Sequence, residues 1–252
     1  MTLPGISVAI ITKNEEDCIR RCLESVSWAQ DIVVADTGST DRTVAICREM
    51  GCRVVEPGWH GFGKTKQICV DQTACDWVLS LDADEVVSEG LRQCILGLDL
   101  NPHVAAGFHI RRQTFYLGRL IRFSGWKKDY PLRLFNRNYG RFSDDMIHEQ
   151  VQIQGDAKRL EPCLFHHSYP DLATHMEKMN LYSRLGAEKL AARGKTCGII
   201  KPVLRGLFKF IRMYVLEMGF LDGKHGLVLA CVSAFGVSLK YFKLWEMTVR
   251  AR

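Results

Sequence analysis

A chain of 252 residues suits one large domain or a domain with an appendage, and a hydrophobic share of 47% supplies an ample core and excludes a disordered protein. Its ten cysteines are scattered without a Cys-x-x-Cys pair, which excludes a zinc ribbon or thioredoxin motif and points to buried, reduced thiols in a cytosolic protein. The net charge of +6 is concentrated from Lys195 onward, where ten Lys or Arg face three acids; no helix-turn-helix, zinc-finger or aromatic RNA-binding signature accompanies it, so no nucleic-acid partner is expected.

No basic leader precedes the first apolar run, so no secretory signal is expected. That run, Ile6 to Thr12, reads as a short strand closed by Lys13-Asn14-Glu15-Glu16, and Ile19, Cys22, Leu23 and Val26 then follow a helical stripe. A second strand, Asp31 to Asp36, ends in the turn Thr37 to Asp41. A helix from Val44 to Met50 stops at Gly51, and Cys52 to Glu56 makes a third strand. Gly61, Gly63 and Lys66 predict a flexible basic loop suited to a diphosphate.

Trp77, Val78, Leu79 and Leu81 predict a buried strand that runs into Asp82 and Asp84. Alternate strand residues point the same way, so both carboxylates would face one spot. Two such groups repel each other, and a bound hard cation resolves the conflict. The alternative is a capped turn before a helix that starts near Ser88. Alternating strands and helices predict an α/β fold with a doubly wound, mostly parallel sheet. Ligands in such folds bind beyond the carboxyl ends of the strands, where this sequence gathers Thr12, Asn14, Glu15, Asp36, Asp82 and Asp84.

Several of these residues admit two readings. Asp36 could accept a hydrogen bond from a uracil imide or close an Asx-turn; Asp41 and Asn14 could be helix caps. Arg133 and Arg137 could meet a phosphorylated acceptor or the diphosphate, or face solvent from a strand. His166 and His167 could serve as a late metal ligand or a phosphate contact, or be structural. The helix expected from Leu172 to Arg193 carries Met176, Met179 and Leu190 on a packing stripe.

The segments Val8 to Glu15, Val33 to Asp41 and Leu81 to Glu85 together resemble the nucleotide-sugar half of family 2 glycosyltransferases, which have the GT-A fold. The remainder, through Phe115-Tyr-Leu-Gly118 and Asp144-Asp-Met-Ile-His-Glu149, is similar to the lipopolysaccharide core β-1,4-glucosyltransferase subgroup. The resemblance implies a nucleotide-sugar-binding half over 1–105, an acceptor-binding half over 106–194 and a basic helical tail over 195–252. It implies an inverting, metal-dependent transfer of one hexose, glucose from UDP-glucose, to a lipid-linked oligosaccharide acceptor such as lipopolysaccharide inner core. Thr12 and Glu15 are thereby given to the nucleotide, beside Asn14, Asp36 and Lys66. Asp84 is expected to bind Mn or Mg, with Asp82 on ribose or on the metal through water. The acceptor's general base is expected among the acids of the second half, with Glu149 first, Asp145 second and Asp144 third. A Gln-x-x-Arg-Trp motif is absent, which favours single addition over polymerisation. A sugar nucleotidyltransferase would need a Gly-rich basic loop where Thr12 to Glu16 stands. Against a non-catalytic nucleotide-sugar-binding membrane adaptor stand the intact Asp82-Ala-Asp84 and the available Glu149.

In the tail, Lys201, Arg205, Lys209 and Arg212 form a basic stripe beside Leu204, Leu207, Phe208, Ile211, Val215 and Met218. This pattern predicts an in-plane amphipathic helix on an anionic membrane, here the inner face of the cytoplasmic membrane. Gly226 to Leu239 is uncharged but shorter than the roughly 18–20 residues of a span. The alternative is a helical hairpin packed on the catalytic domain.

Overall fold

Near-continuous apolar runs in three of the first four strands build a sheet with two buried faces. In the computed structural model, which describes residues 5–143 and 150–250, these strands are β1 (Ile6–Thr12), β2 (Asp31–Asp36), β3 (Arg53–Val55) and β4 (Trp77–Asp82). Val8, Ile10, Val34, Leu79 and Leu81 pack on one face with α1 (Ile19–Ser25), α2 (Thr43–Glu49) and α4 (Glu89–Leu96). Ala9, Val33, Ala35 and Val78 pack on the other face with Cys69 and Val70 of α3 (Phe62–Asp71). Such double burial is what the near-continuous apolar runs require.

The remaining strands are β5 (Glu85–Val87), β6 (Gly107–Tyr116), β7 (Arg119–Leu120), β8 (Leu132–Asn136), β9 (Gly140–Phe142), β10 (Val151–Ile153) and β11 (Ala157–Tyr169). The main sheet runs β3-β2-β1-β4-β8-β6-β11-β5, with β7 on β6, while β9 and β10 pair separately. The first four strands are parallel, as expected. The rest corrects the mostly parallel expectation, because β8 is antiparallel to β4, β6 to β8 and β5 to β11. Among the described residues between α4 and β11 the chain returns through strands and loops without a crossover helix, which is the condition for antiparallel pairing.

Two compact units divide the chain: Met1–Arg112 with Asp129–His166, and Gln113–Lys128 with His167–Arg252. Described by itself, the second contains α5 (Leu172–Ala192), α6 (Ile200–Ile211) and α7 (Gly223–Arg250), with α7 packed on both of the others. Its largest buried cluster holds Tyr116, Ile121, Met213, Leu229 and Ala230. Gly206 permits the approach of α6 to α7, since a Cβ there would stand 2.0 Å from the Ser238 hydroxyl. The outer face of α6 is strongly apolar and open: Ile200, Val203, Leu204, Leu207 and Phe208 are all more than half exposed. The uncharged run from Gly226 is embedded in a helix of 28 residues. By length and composition the helical stretch Gly219–Arg250 is long and apolar enough to cross a membrane, while the uncharged run within it is itself shorter than a span. The flanking turns, including Tyr241 and Phe242, extend the apolar stretch past Lys240.

Candidate functional site

Three strand ends of the parallel sheet, those of β1, β2 and β4, carry the polar residues of the site. The loops after β1 and β2 are stitched together: Thr37 donates to the Thr12 carbonyl, Thr40 N–H donates to Asn14 Oδ1 at 2.8 Å, and Glu15 N–H donates to the Thr43 hydroxyl at 2.8 Å. Asn14 adopts a left-handed backbone (φ 54°) and braces the neighbouring loop. It therefore does not cap α1, which starts later, at Ile19. Asp41 accepts from the N–H of Thr43 two residues on, an Asx-type turn just ahead of α2, whose N-cap position is Arg42.

Asp36 is buried at the end of β2, and its carboxylate closes its own turn. One oxygen accepts from the N–H groups of Gly38 and Ser39 at 2.9 Å each, and the other accepts from the Ser39 hydroxyl. The Asx-turn foreseen as an alternative is present. The Thr12 hydroxyl, close by in sequence to this seam, is buried without a hydrogen-bond partner.

The predicted loop around Lys66 is a helix instead. Gly61 sits at φ 89° immediately before α3, and Lys66 lies one turn into the helix with its side chain only 3% exposed. Its ammonium therefore meets a carboxylate rather than water: Nζ is 2.8 Å from Asp82 Oδ1. The other oxygen of Asp82 accepts from Arg133 Nη2 at 2.6 Å. Burial alone would push the Asp82 carboxyl upward; Arg133 and Lys66 overcome this and hold it well below the usual carboxylate range. Asp82 and Glu85 in turn raise Arg133 against its own burial.

Arg133 is thus not on a solvent face. It is buried in β8, and its Nη2 also donates to Glu85 Oε1 at 2.6 Å. Glu85, fully buried in β5, accepts from Arg112 Nη1 at 3.2 Å and from the Asp82 N–H at 3.1 Å. Arg112 continues to Asp129 at 2.7 Å. Arg137 has a different task, with its guanidinium bound to the Thr73 carbonyl. Sequence reasoning did not identify Glu85 or Arg112. The only signal for Glu85 was its place between the Asp82-Ala83-Asp84 run and the apolar Val86-Val87.

β4 ends at Asp82, and Ala83 and Asp84 form a turn before β5, so strand alternation does not orient the two carboxylates. The turn does not cap α4 either; Ser88 does, accepting from the Leu91 N–H at 3.2 Å. The pairing of β5 with β11 brings His166 opposite Glu85, and His166 Nε2 lies 3.4 Å from Asp84 Oδ1. His167 turns elsewhere and stacks on Phe115. The Asp84 carboxylate suits a hard cation such as Mn or Mg, whereas the imidazole nitrogen beside it is a ligand that Mg does not favour. No group of three His, Cys, Asp or Glu poised to ligate a metal is present among the described residues. Glu149, Asp145 and Asp144 lie outside the described residues.

A family model described as glycosyl transferase family 2 matches residues 7–152. An uncharacterised glycosyltransferase of Rickettsia typhi is 28% identical, covering 98% of this chain and 89% of the relative. The lipopolysaccharide core biosynthesis glycosyltransferase LpsC of Rhizobium meliloti is 26% identical, covering 91% and 90%. Among solved structures, residues 1–349 of S. aureus TarS in complex with UDP align at 16% identity and a TM-score of 0.47, covering 98% of this chain and 92% of that one.

Proposed function

The chain belongs to glycosyltransferase family 2, and from that premise we propose that it adds a single hexose, glucose from UDP-glucose, to a lipid-linked acceptor such as lipopolysaccharide inner core, with inversion at the anomeric carbon. The observation that carries this reading is the Lys66–Asp82 pair at the end of β4, two residues before Asp84. The name of the Rhizobium meliloti relative supports the acceptor class.

Asp36 and the β1 loop, with Thr12, Asn14 and Glu15, bind the uridine end of the donor. Asp82, locked between Lys66 and Arg133, has its charge matched by cations and meets ribose. Asp84, with His166 beside it, holds a divalent ion, Mn or Mg. That ion would offset the negative charge gathering on the departing diphosphate. Lys66 adds a second cation on that side. The acceptor hydroxyl is a poor nucleophile and must lose its proton as it attacks; Glu149 takes it, with Asp145 as the second candidate. Attack from the face opposite the leaving group inverts the configuration, through an oxocarbenium-like transition state.

The tail supports residence at the inner face of the cytoplasmic membrane. Exposed Lys201 and Arg205 flank the open apolar face of α6, an arrangement suited to anionic lipid. Assay of a nucleotide-sugar panel against truncated core oligosaccharides, with and without manganese, tests the whole reading. UDP-glucose consumption with a β-linked product by NMR is the expected result. Pyrophosphorolysis of the nucleotide sugar would favour a nucleotidyltransferase, and donor binding without turnover would favour an adaptor.

A further inference from the structure

The buried charges behind Asp82 form a chain whose members alternate in sign: Lys66, Asp82, Arg133, Glu85, Arg112 and Asp129. We infer that Glu85 is a positioning residue that sets how tightly a divalent cation binds at Asp84, acting through Arg133 and the Asp82 backbone without touching the ion. This rests on the proposal that the ion sits at Asp84.

Asp82 is already shared by two cations, so its single charge does not neutralise both. The remaining positive charge would stand beside Asp84 and repel a divalent ion. Glu85 removes that excess. Its Oε1 takes Arg133 Nη2 at 2.6 Å, and neither side chain is more than 6% exposed, so water screens the pair weakly. Arg133 has no further carboxylate among the described residues, and its buried Nε has no hydrogen-bond partner. The second oxygen of Glu85 accepts from the Asp82 N–H and so fixes the chain where Ala83 and Asp84 turn away from the strand. Arg112 draws on the same Glu85 oxygen from the outer side, where Asp129 at 36% exposure is a solvated counter-charge. The chain thus predicts effects of opposite sign. Neutralising Glu85 makes the site more positive, and neutralising Arg112 makes it more negative.

The test is Mn2+ affinity of the full-length protein, read by EPR of free ion with and without UDP, for wild type, Glu85→Gln and Arg112→Gln, with thermal melts alongside. Glu85→Gln is expected to weaken Mn2+ binding at least tenfold and Arg112→Gln to strengthen it severalfold. Wild-type affinity in Glu85→Gln overturns the inference, as does unchanged or weaker binding in Arg112→Gln. Should Glu85→Gln fail to fold, Arg112→Gln alone decides in the same way. If the wild type itself binds no Mn2+ even with UDP, the metal reading of Asp84 falls and takes this inference with it.

Discussion

His166 Nε2 lies 3.4 Å from Asp84 Oδ1, brought there by the antiparallel pairing of β11 with β5. Asp82, two residues earlier, has both oxygens taken by Lys66 and Arg133 instead. The two carboxylates of one short motif therefore have different neighbours, a pair of cations at Asp82 and an imidazole at Asp84. Asp84→Ala is expected to abolish turnover while leaving the melting temperature near that of wild type. Near-normal activity of this variant in the presence of a chelator would contradict the metal assignment.

Lys66 is the buried cation proposed to face the diphosphate. Lys66→Met should lower UDP affinity at least tenfold by titration calorimetry, because a phosphate contact is lost. Breaking a buried ion pair commonly costs about 3–5 kcal/mol. The loss here should be smaller, since Asp82 retains Arg133 and is itself 29% exposed. Unchanged UDP affinity would confine Lys66 to a structural role.

The lowered pKa of Asp82 gives the pH dependence its sign. The group is ionised in the folded protein to lower pH than in the unfolded chain, so its stabilisation is complete above the unfolded value. It is lost as pH falls from roughly 4, the ordinary carboxylate range, toward the depressed folded value. Asp82→Asn cannot lose what it lacks. Its urea midpoint should vary less than that of wild type between about pH 4 and pH 2, if carboxylate titration dominates there. Parallel curves for the two proteins would rule out a coupled Asp82.

Much of this arrangement was legible before the structure, for identifiable reasons. Short apolar runs with polar ends marked β1, β2 and β4, and their ends carry Thr12, Asp36 and Asp82. Local signals failed where tertiary contacts decide. Gly61 and Gly63 suggested a loop, yet α3 forms there and buries Lys66 against Asp82. Arg133 read as a phosphate contact or as a residue on a strand's solvent face; it is buried because Asp82 and Glu85, about fifty residues earlier, neutralise it. No sequence pattern announces such a partnership. The antiparallel half of the sheet was likewise missed, since β6 and β11 are interrupted by charged and polar residues and lack the near-continuous apolar runs of β1, β2 and β4.

The acceptor's base should separate binding from chemistry. Glu149→Gln is expected to keep UDP-sugar affinity and lose most transfer, because only deprotonation of the attacking hydroxyl is removed. Full activity in Glu149→Gln together with a dead Asp145→Asn would move the role to Asp145.

Membrane attachment rests on both halves of the α6 surface, and they can be tested apart. Each basic residue near an anionic leaflet contributes about 1 kcal/mol. Arg212 is paired with Glu217 at 2.8 Å, which leaves Lys201, Arg205 and Lys209 as the more effective cations. The apolar half is larger. Leu204 and Phe208 are each 59% exposed, and burying such side chains in lipid is worth about 1.5–3 kcal/mol apiece when complete. Lys201→Glu with Arg205→Glu should weaken binding to vesicles containing phosphatidylglycerol and make what remains less sensitive to salt. Leu204→Ser with Phe208→Ser should release the protein at any salt concentration, because the hydrophobic term does not depend on screening. Activity on a soluble, delipidated acceptor should survive both changes, as neither pair belongs to the donor site. Indifference of the wild-type protein to anionic vesicles at low salt would leave the open face of α6 without a lipid partner and end the membrane reading.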